Sequence, residues 1–257
     1  MKESPHIIRD SDTFYHQYQN LTSRSIVCTR IRMKPGEEQL LTDLAERRIT
    51  LIPSATSQLA SRSKVFQTRI FKEYLLPFTR AIYDNHSLLH CISLYRKQNI
   101  SKVVLKRERK NGGLGIHLFS NVEDIFNMTA GGGFHYPFVI QPFQPNSRDV
   151  RVIMLDDYHE AYERKNSYNF RNNLHCGGKS TPFPLSNRQL SFCKRVMKRG
   201  KFPYGHIDLL LSENNTCRLS EINLRGGLRG AEITLEDYRE KIQEIHERLL
   251  REAVEKI

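Results

Sequence analysis

The runs HIDLLLS, residues 206–212, and CRLSEINL, residues 217–224, read as two strands joined by the turn ENNT. Side chains two apart along a strand share a face, so Glu221 and Asn223 project together. The neighbouring strand can set Asp208 beside them. Two carboxylates and an amide on one sheet face form a set of hard oxygen donors. Such a set suits Mg2+, which is usually shared with nucleotide phosphates. The D…ExN pattern is short and common, so other segments must decide whether this sheet face binds anything.

Two further segments carry chemistry. Residues 102–106, KVVLK, read as a strand that delivers Lys106 to the segment ERKNGGLG, after which IHLF reads as another strand. Gly112, Gly113 and Gly115 would let backbone amides approach phosphate oxygens, with the lysine supplying a compact charge. No GK[ST] opens a helix here, so this is not a Walker loop. Taken alone, the segment equally fits a hairpin turn. The other segment is rich in arginine: DVR at 149–151, Arg164, then NFRNNLHCGG at 169–178. On its strand Arg151 alternates with apolar neighbours and so points away from the core. Guanidinium forks suit phosphoryl and carboxylate groups, although a solvated basic strand face has the same pattern.

The order of elements predicts an α/β chain. Residues 25–34 read as a strand, EEQLLTDLAERR as a helix and ITLIP as a second strand, a β–α–β opening of parallel type. Residues 59–76 and 86–97 read as helices, the first broken by Pro77. FVIQPF, DVRVIML and HEAYERK continue as strands, NRQLSFCKRVMKR reads as a helix, and Leu235 to Ile257 as an amphipathic helix with a core-packing face. The expected division is a leading lobe at 1–56, then a small lobe at about 57–141 and a large lobe at about 142–257. With 257 residues the chain can bury a substantial core, and no apolar run is long enough to span a membrane. Five widely spaced cysteines without a CxxC pair read as reduced thiols of a cytoplasmic protein. The net charge of +12 favours anionic partners without choosing among nucleic acid, nucleotide and polyacid.

Taken together and in order, DVRVIM, the run Ala161–Arg164 leading to NFRNNLHCGG, and YGHIDLLL…LSEINLRGGLRGAE resemble the ATP-grasp superfamily. Within it they resemble the ribosomal-protein-S6 glutamate ligase-like (RimK-type) branch, from about Ser54 to Glu232. The resemblance implies an ATP-grasp fold in which two sheet lobes clamp ATP, with Mg2+ (or Mn2+) bridging its phosphates. It implies nucleotide contacts by Lys64, Lys106, Gly112, Gly113, Gly115, Asp149, Arg171 and Asn173, and an adenine-side hinge at Gln141, Pro142 and Phe143. Asp208, Glu221 and Asn223 match the metal ligands. Arg151 and Arg164 match the residues that stabilise an acyl phosphate, and Gly178 lies in the substrate-side loop. The implied reaction joins a carboxylate to an amine, such as glutamate or another amino acid added to a small acid, peptide or protein.

The sequence departs from that pattern in three places. Pro142 stands where close relatives carry an acid. The leading lobe is short, with one β–α–β unit expected, which suits an open acceptor site or a partner that completes it. Arg225 and Arg229 replace small, proline or acidic residues and would hold an acidic substrate, unless Arg225 pairs with Glu232 or Glu236 instead. Other readings are a kinase acting on an anionic substrate and, with less support, a basic nucleic-acid-binding protein on a degenerate scaffold. No membrane partner is expected, and a homo-oligomer is left open.

Overall fold

The computed structural model describes residues 4–110 and 112–257. Residues 1–3 of the expected leading lobe and Asn111 of the glycine-rich segment lie outside the described residues. The chain opens with β1 (His6–Ile8), α1 (Ser11–Gln17), β2 (Ser25–Cys28), α2 (Leu40–Glu46) and β3 (Thr50–Ile52). These strands form a parallel sheet in the order β1-β2-β3. The opening therefore holds three strands rather than one β–α–β unit; a three-residue strand is too short to show alternation. The strand expected over 25–34 stops at Cys28. Beyond it, the Ile31 N–H donates to the buried side-chain oxygen of Gln58 (2.9 Å) instead of to a strand partner.

The helix expected over 59–76 is two short ones, α3 (Ala55–Ala60) and α4 (Lys64–Ile70). The Ser63 side chain caps α4 by accepting from the Phe66 N–H (2.9 Å), which ends one helical register and starts another. There follow β4 (Arg80–Ile82), α5 (Asn85–Lys97), β5 (Val103–Arg107), β6 (Ile116–Phe119), α6 (Val122–Ala130) and β7 (Phe138–Pro142). The four strands pair antiparallel in the order β4-β7-β5-β6. Asp84 and Ser87 exchange the reciprocal bonds of a capping box at the start of α5.

The last part holds β8 (Arg148–Leu155), β9 (Tyr158–Lys165), β10 (Lys179–Pro182), α7 (Asn187–Gly200), β11 (Tyr204–Leu211), β12 (Cys217–Asn223) and α8 (Leu235–Val254). Its five strands are antiparallel in the order β10-β9-β8-β11-β12. Alternation sorts this sheet into two faces. Val150, Val152, Ile207, Leu209 and Leu211 bury themselves in the core that also holds Phe192, Cys193 and Val196 of α7. Asp149, Arg151 and Asp208 take the opposite face. Helix α8 puts Tyr238 and Ile245 into this core and packs Leu250 against Ile26, Cys28 and Ile52 of the parallel sheet. The last helix thereby ties the leading sheet to the large one.

Candidate active site

A cleft of about 1000 Å3 is lined by residues from both antiparallel sheets. Every residue singled out in the sequence lines it except Gly115, Pro142 and Gly178. The register of the large sheet explains the convergence. Asp208 of β11 stands opposite Arg151 on β8 and opposite Glu221 on β12, and Asp149 on β8 stands opposite Arg164 on β9. Both oxygens of Asp208 accept from Arg151, at 2.8 and 2.9 Å, and Arg164 reaches Asp208 at 3.2 Å while also bonding Asp149. Burial alone would raise the Asp208 pKa, but the two guanidiniums override it and hold the carboxyl well below the usual carboxylate range. Asp149, also buried, is pushed up by that burial against the pull of Arg164, with the Asp208 charge adding to the rise.

A register shift after Asp208 leaves Ser220 as the extra residue on β12. The bulge turns the Ser220 carbonyl and hydroxyl toward β5, where both accept from the Lys106 ammonium at 3.1 Å. Lys106 is buried. That burial pushes its pKa down to about 8, opposed by Glu221 and reinforced by Lys64. Lys64, also buried, donates to the Lys110 carbonyl (2.8 Å) and pairs with Glu221 (3.1 Å). Lys64 of α4 and Lys106 of β5 therefore both meet β12 of the large sheet, one at the Glu221 carboxylate and the other at Ser220.

Above them the glycine-rich turn folds down on the 173–176 loop. Gly112 and Gly113 have left-handed φ of +67° and +82°, which side chains rarely adopt. A Cβ on Gly113 would also stand 3.1 Å from the Cys176 Sγ and 3.3 Å from the Asn173 Oδ1. Gly115 closes the turn instead of lining the cleft, because a Cβ there would lie 2.4 Å from that of Lys110. Gly178 is likewise a packing residue: it is buried, and a Cβ would come within 2.3 Å of the Asn172 carbonyl. Pro142 ends β7 facing away from the cleft, while Gln141 and Phe143 line it.

Several arginines are already committed. Arg171 donates to the Ile116 carbonyl (2.8 Å), tying the 166–173 loop to β6, and lies 4.4 Å from the Phe170 ring centre. Arg229 donates to the Leu174 carbonyl (3.2 Å). Arg225 lines the cleft with no ion pair to Glu232, Glu236 or any other described residue. Sequence reasoning missed Phe170, which meets Phe143 edge-on at 6.4 Å, as well as Ser220 and Arg30. Phe170 lies inside the quoted NFRNNL motif; nothing in the sequence marked Ser220 or Arg30.

Asp208, Glu221 and Asn223 are hard oxygen donors of the kind that suits a divalent cation. Asp208 and Glu221 are directly opposed like charges on adjacent strands, an arrangement that repels unless cations neutralise it. Arg151 and Lys64 neutralise it here. Asn223 lies two residues along the same strand and lines the same cleft. Among the described residues no group of three His, Cys, Asp or Glu side chains could hold a metal, so any ion here relies on the amide as its third ligand.

This paired-sheet architecture is the ATP-grasp fold. It is similar to that of D-cycloserine synthetase DcsG, with a TM-score of 0.59 at 12% identity over 96% of this chain and 84% of that one. It is also similar to the ATP-grasp ligase PsnB, solved with a minimal precursor variant, Mg and ADP, with a TM-score of 0.55 at 16% identity over 81% of this chain and 66% of that one. The RimK-like ATP-grasp domain matches residues 67–245, and the chain belongs to that family. A glutathione synthetase from Agrobacterium fabrum is 28% identical over 109 residues, 39% of this chain and 34% of that protein. The match thus spans about a third of that relative's length.

Proposed function

We propose that this protein is an ATP-dependent carboxylate–amine ligase acting in the cytoplasm, where its five unpaired cysteines stay reduced. One observation carries the reading: buried Lys64 and Lys106 face Asp208, Glu221 and Asn223 across one cleft, beneath a glycine turn. The lysines and the amides of Gly112 and Gly113 would take the triphosphate, and Phe143, Phe170, Val104 and Leu210 offer apolar surface for the base. Asp208, Glu221 and Asn223 would hold Mg2+, whose role when bound is to neutralise phosphate charge.

The substrate carboxylate attacks the γ-phosphorus, giving an acyl phosphate and ADP. The amine then adds to the carbonyl carbon, inorganic phosphate leaves, and the nitrogen loses a proton. No protein nucleophile is required; orientation and charge stabilisation supply the catalysis. Arg151 and Arg164, both in the cleft, would stabilise the acyl phosphate. Arg171 and Asn173 would act by holding the loop against the glycine turn, and Asp149 by orienting Arg164. Supporting the reading are the family, the glutathione synthetase relative and the Mg- and ADP-bound PsnB neighbour.

The test is thermal shift with ATP and ADP, with and without Mg2+, followed by a screen of acid and amine pairs for phosphate release and amide mass. Metal-dependent stabilisation that is lost on Asp208→Ala and Glu221→Ala, with an amide product, is the expected result. A phosphorylated acceptor without free phosphate would make it a kinase, and no nucleotide shift would overturn the reading.

A further inference from the structure

Most cationic groups at the cleft floor are already spent on partners within the protein. Arg151 and Arg164 serve Asp208 and Asp149, Lys64 serves Glu221, and Lys106 serves Ser220. Arg30 and Arg225 differ. Both line the cleft, and neither guanidinium makes a hydrogen bond or an ion pair with a described residue. In that shared cleft, burial and then the Arg225 charge push the Arg30 guanidinium down, with Arg62 and Arg32 adding smaller contributions. Two unpaired like charges in one cleft cost electrostatic free energy that a bound anion would recover.

Both arginines sit on fixed backbone. Arg30 lies two residues past the carboxyl end of β2, the central strand of the parallel sheet. In open parallel sheets ligands bind outside the carboxyl ends of the strands. Its own carbonyl accepts from the Ser11 hydroxyl (3.3 Å), the next N–H goes to Gln58 (2.9 Å), and the Arg32 N–H returns to Ser11 (3.0 Å). On the other side the Leu224 N–H, one residue before Arg225, donates to the Ser61 hydroxyl (2.9 Å). Gly226, one residue after, presses on the His206 ring so tightly that a Cβ would stand 2.5 Å from its Nδ1. A site built on pinned backbone loses little entropy on binding.

We propose that Arg30 of the leading sheet and Arg225 of the large lobe form a clamp for a second carboxylate of the acid substrate, so that the substrate is a dicarboxylic acid. The clamp rests on the ligase reading of the same cleft. It reassigns the acid-binding role expected of Arg225 and Arg229: Arg229 is committed to the Leu174 carbonyl, and the partner of Arg225 comes from the leading sheet.

The probes are glutarate and pentanoate, of equal chain length but differing by one carboxylate, titrated calorimetrically into the full chain with and without a non-hydrolysable ATP analogue. Glutarate is expected to bind about tenfold more tightly than pentanoate, and Arg30→Gln and Arg225→Gln are each expected to remove that preference. Arg30→Lys should restore part of it, and unchanged melting temperatures of the free variants would show that they fold. Equal binding of the two acids, or a glutarate preference that survives both substitutions, overturns the clamp. The ATP-induced thermal shift reports the nucleotide site separately. Its absence beside an intact glutarate preference would sink the ligase reading and leave the clamp standing.

Discussion

Replacing Lys106 by methionine removes a charge that the fold holds out of water at neutral pH. The ammonium is buried, and its pKa falls from an ordinary 10.5 to about 8, because burial and Lys64 outweigh the pull of Glu221. The unfolded chain therefore holds this proton more tightly than the folded one between pH 8 and 10.5. Where the unfolded state binds more protons, stability rises with pH. A gap of that size corresponds to roughly 3 kcal/mol, and about 2 kcal/mol of it is recovered between pH 7 and pH 9.5. The methionine variant leaves the Ser220 carbonyl and hydroxyl without their donor, a cost that does not titrate. It moves the baseline and not the slope. Urea denaturation of both proteins at pH 7, 8.5 and 9.5 reads the difference directly. Wild-type stability should gain on the variant by about 2 kcal/mol over that range. A difference that stays flat, or runs the other way, would show that Lys106 is not desolvated as described.

Asp208→Asn should destabilise the protein by about 3 kcal/mol in urea, since it leaves Arg151 and Arg164 with an uncompensated charge in a largely buried pair; wild-type stability would mean that the arginines find water or Asp149 instead. Gly178→Ala should cost about 1–3 kcal/mol, because the new Cβ meets the Asn172 carbonyl at 2.3 Å. An unchanged melting temperature would show that the loop yields freely and would reopen a role for Gly178 at the substrate.

The cleft floor was legible because β-strand alternation is a local rule. CRLSEINL places Glu221 and Asn223 on one face whatever the rest of the chain does, and the register then brings Asp208, Arg151 and Arg164 onto that face. Lys106 followed by glycines was legible for the same reason: a strand end and a left-handed turn are written in neighbouring residues. The bulge at Ser220 was not, since one extra residue in a pairing leaves no mark in either strand alone. Nor was the three-stranded opening, whose first strand is three residues long.

The sequence by itself marked charged residues that meet in the cleft, among them Asp208, Glu221 and Arg151, the strands that carry them and the resemblance that placed the chain among ATP-grasp proteins. Only the tertiary structure decided which charges are neutralised and which stand free. Arg151, Arg164, Arg171, Arg225 and Arg229 look alike in a sequence, yet four of them find partners in the fold and the Arg225 side chain finds none among the described residues. Its neighbour Arg30 comes from the opposite end of the chain, brought there because α8 packs the leading sheet onto the large lobe. Such contacts depend on the full three-dimensional path of the chain, whereas strand alternation depends only on the next residue but one.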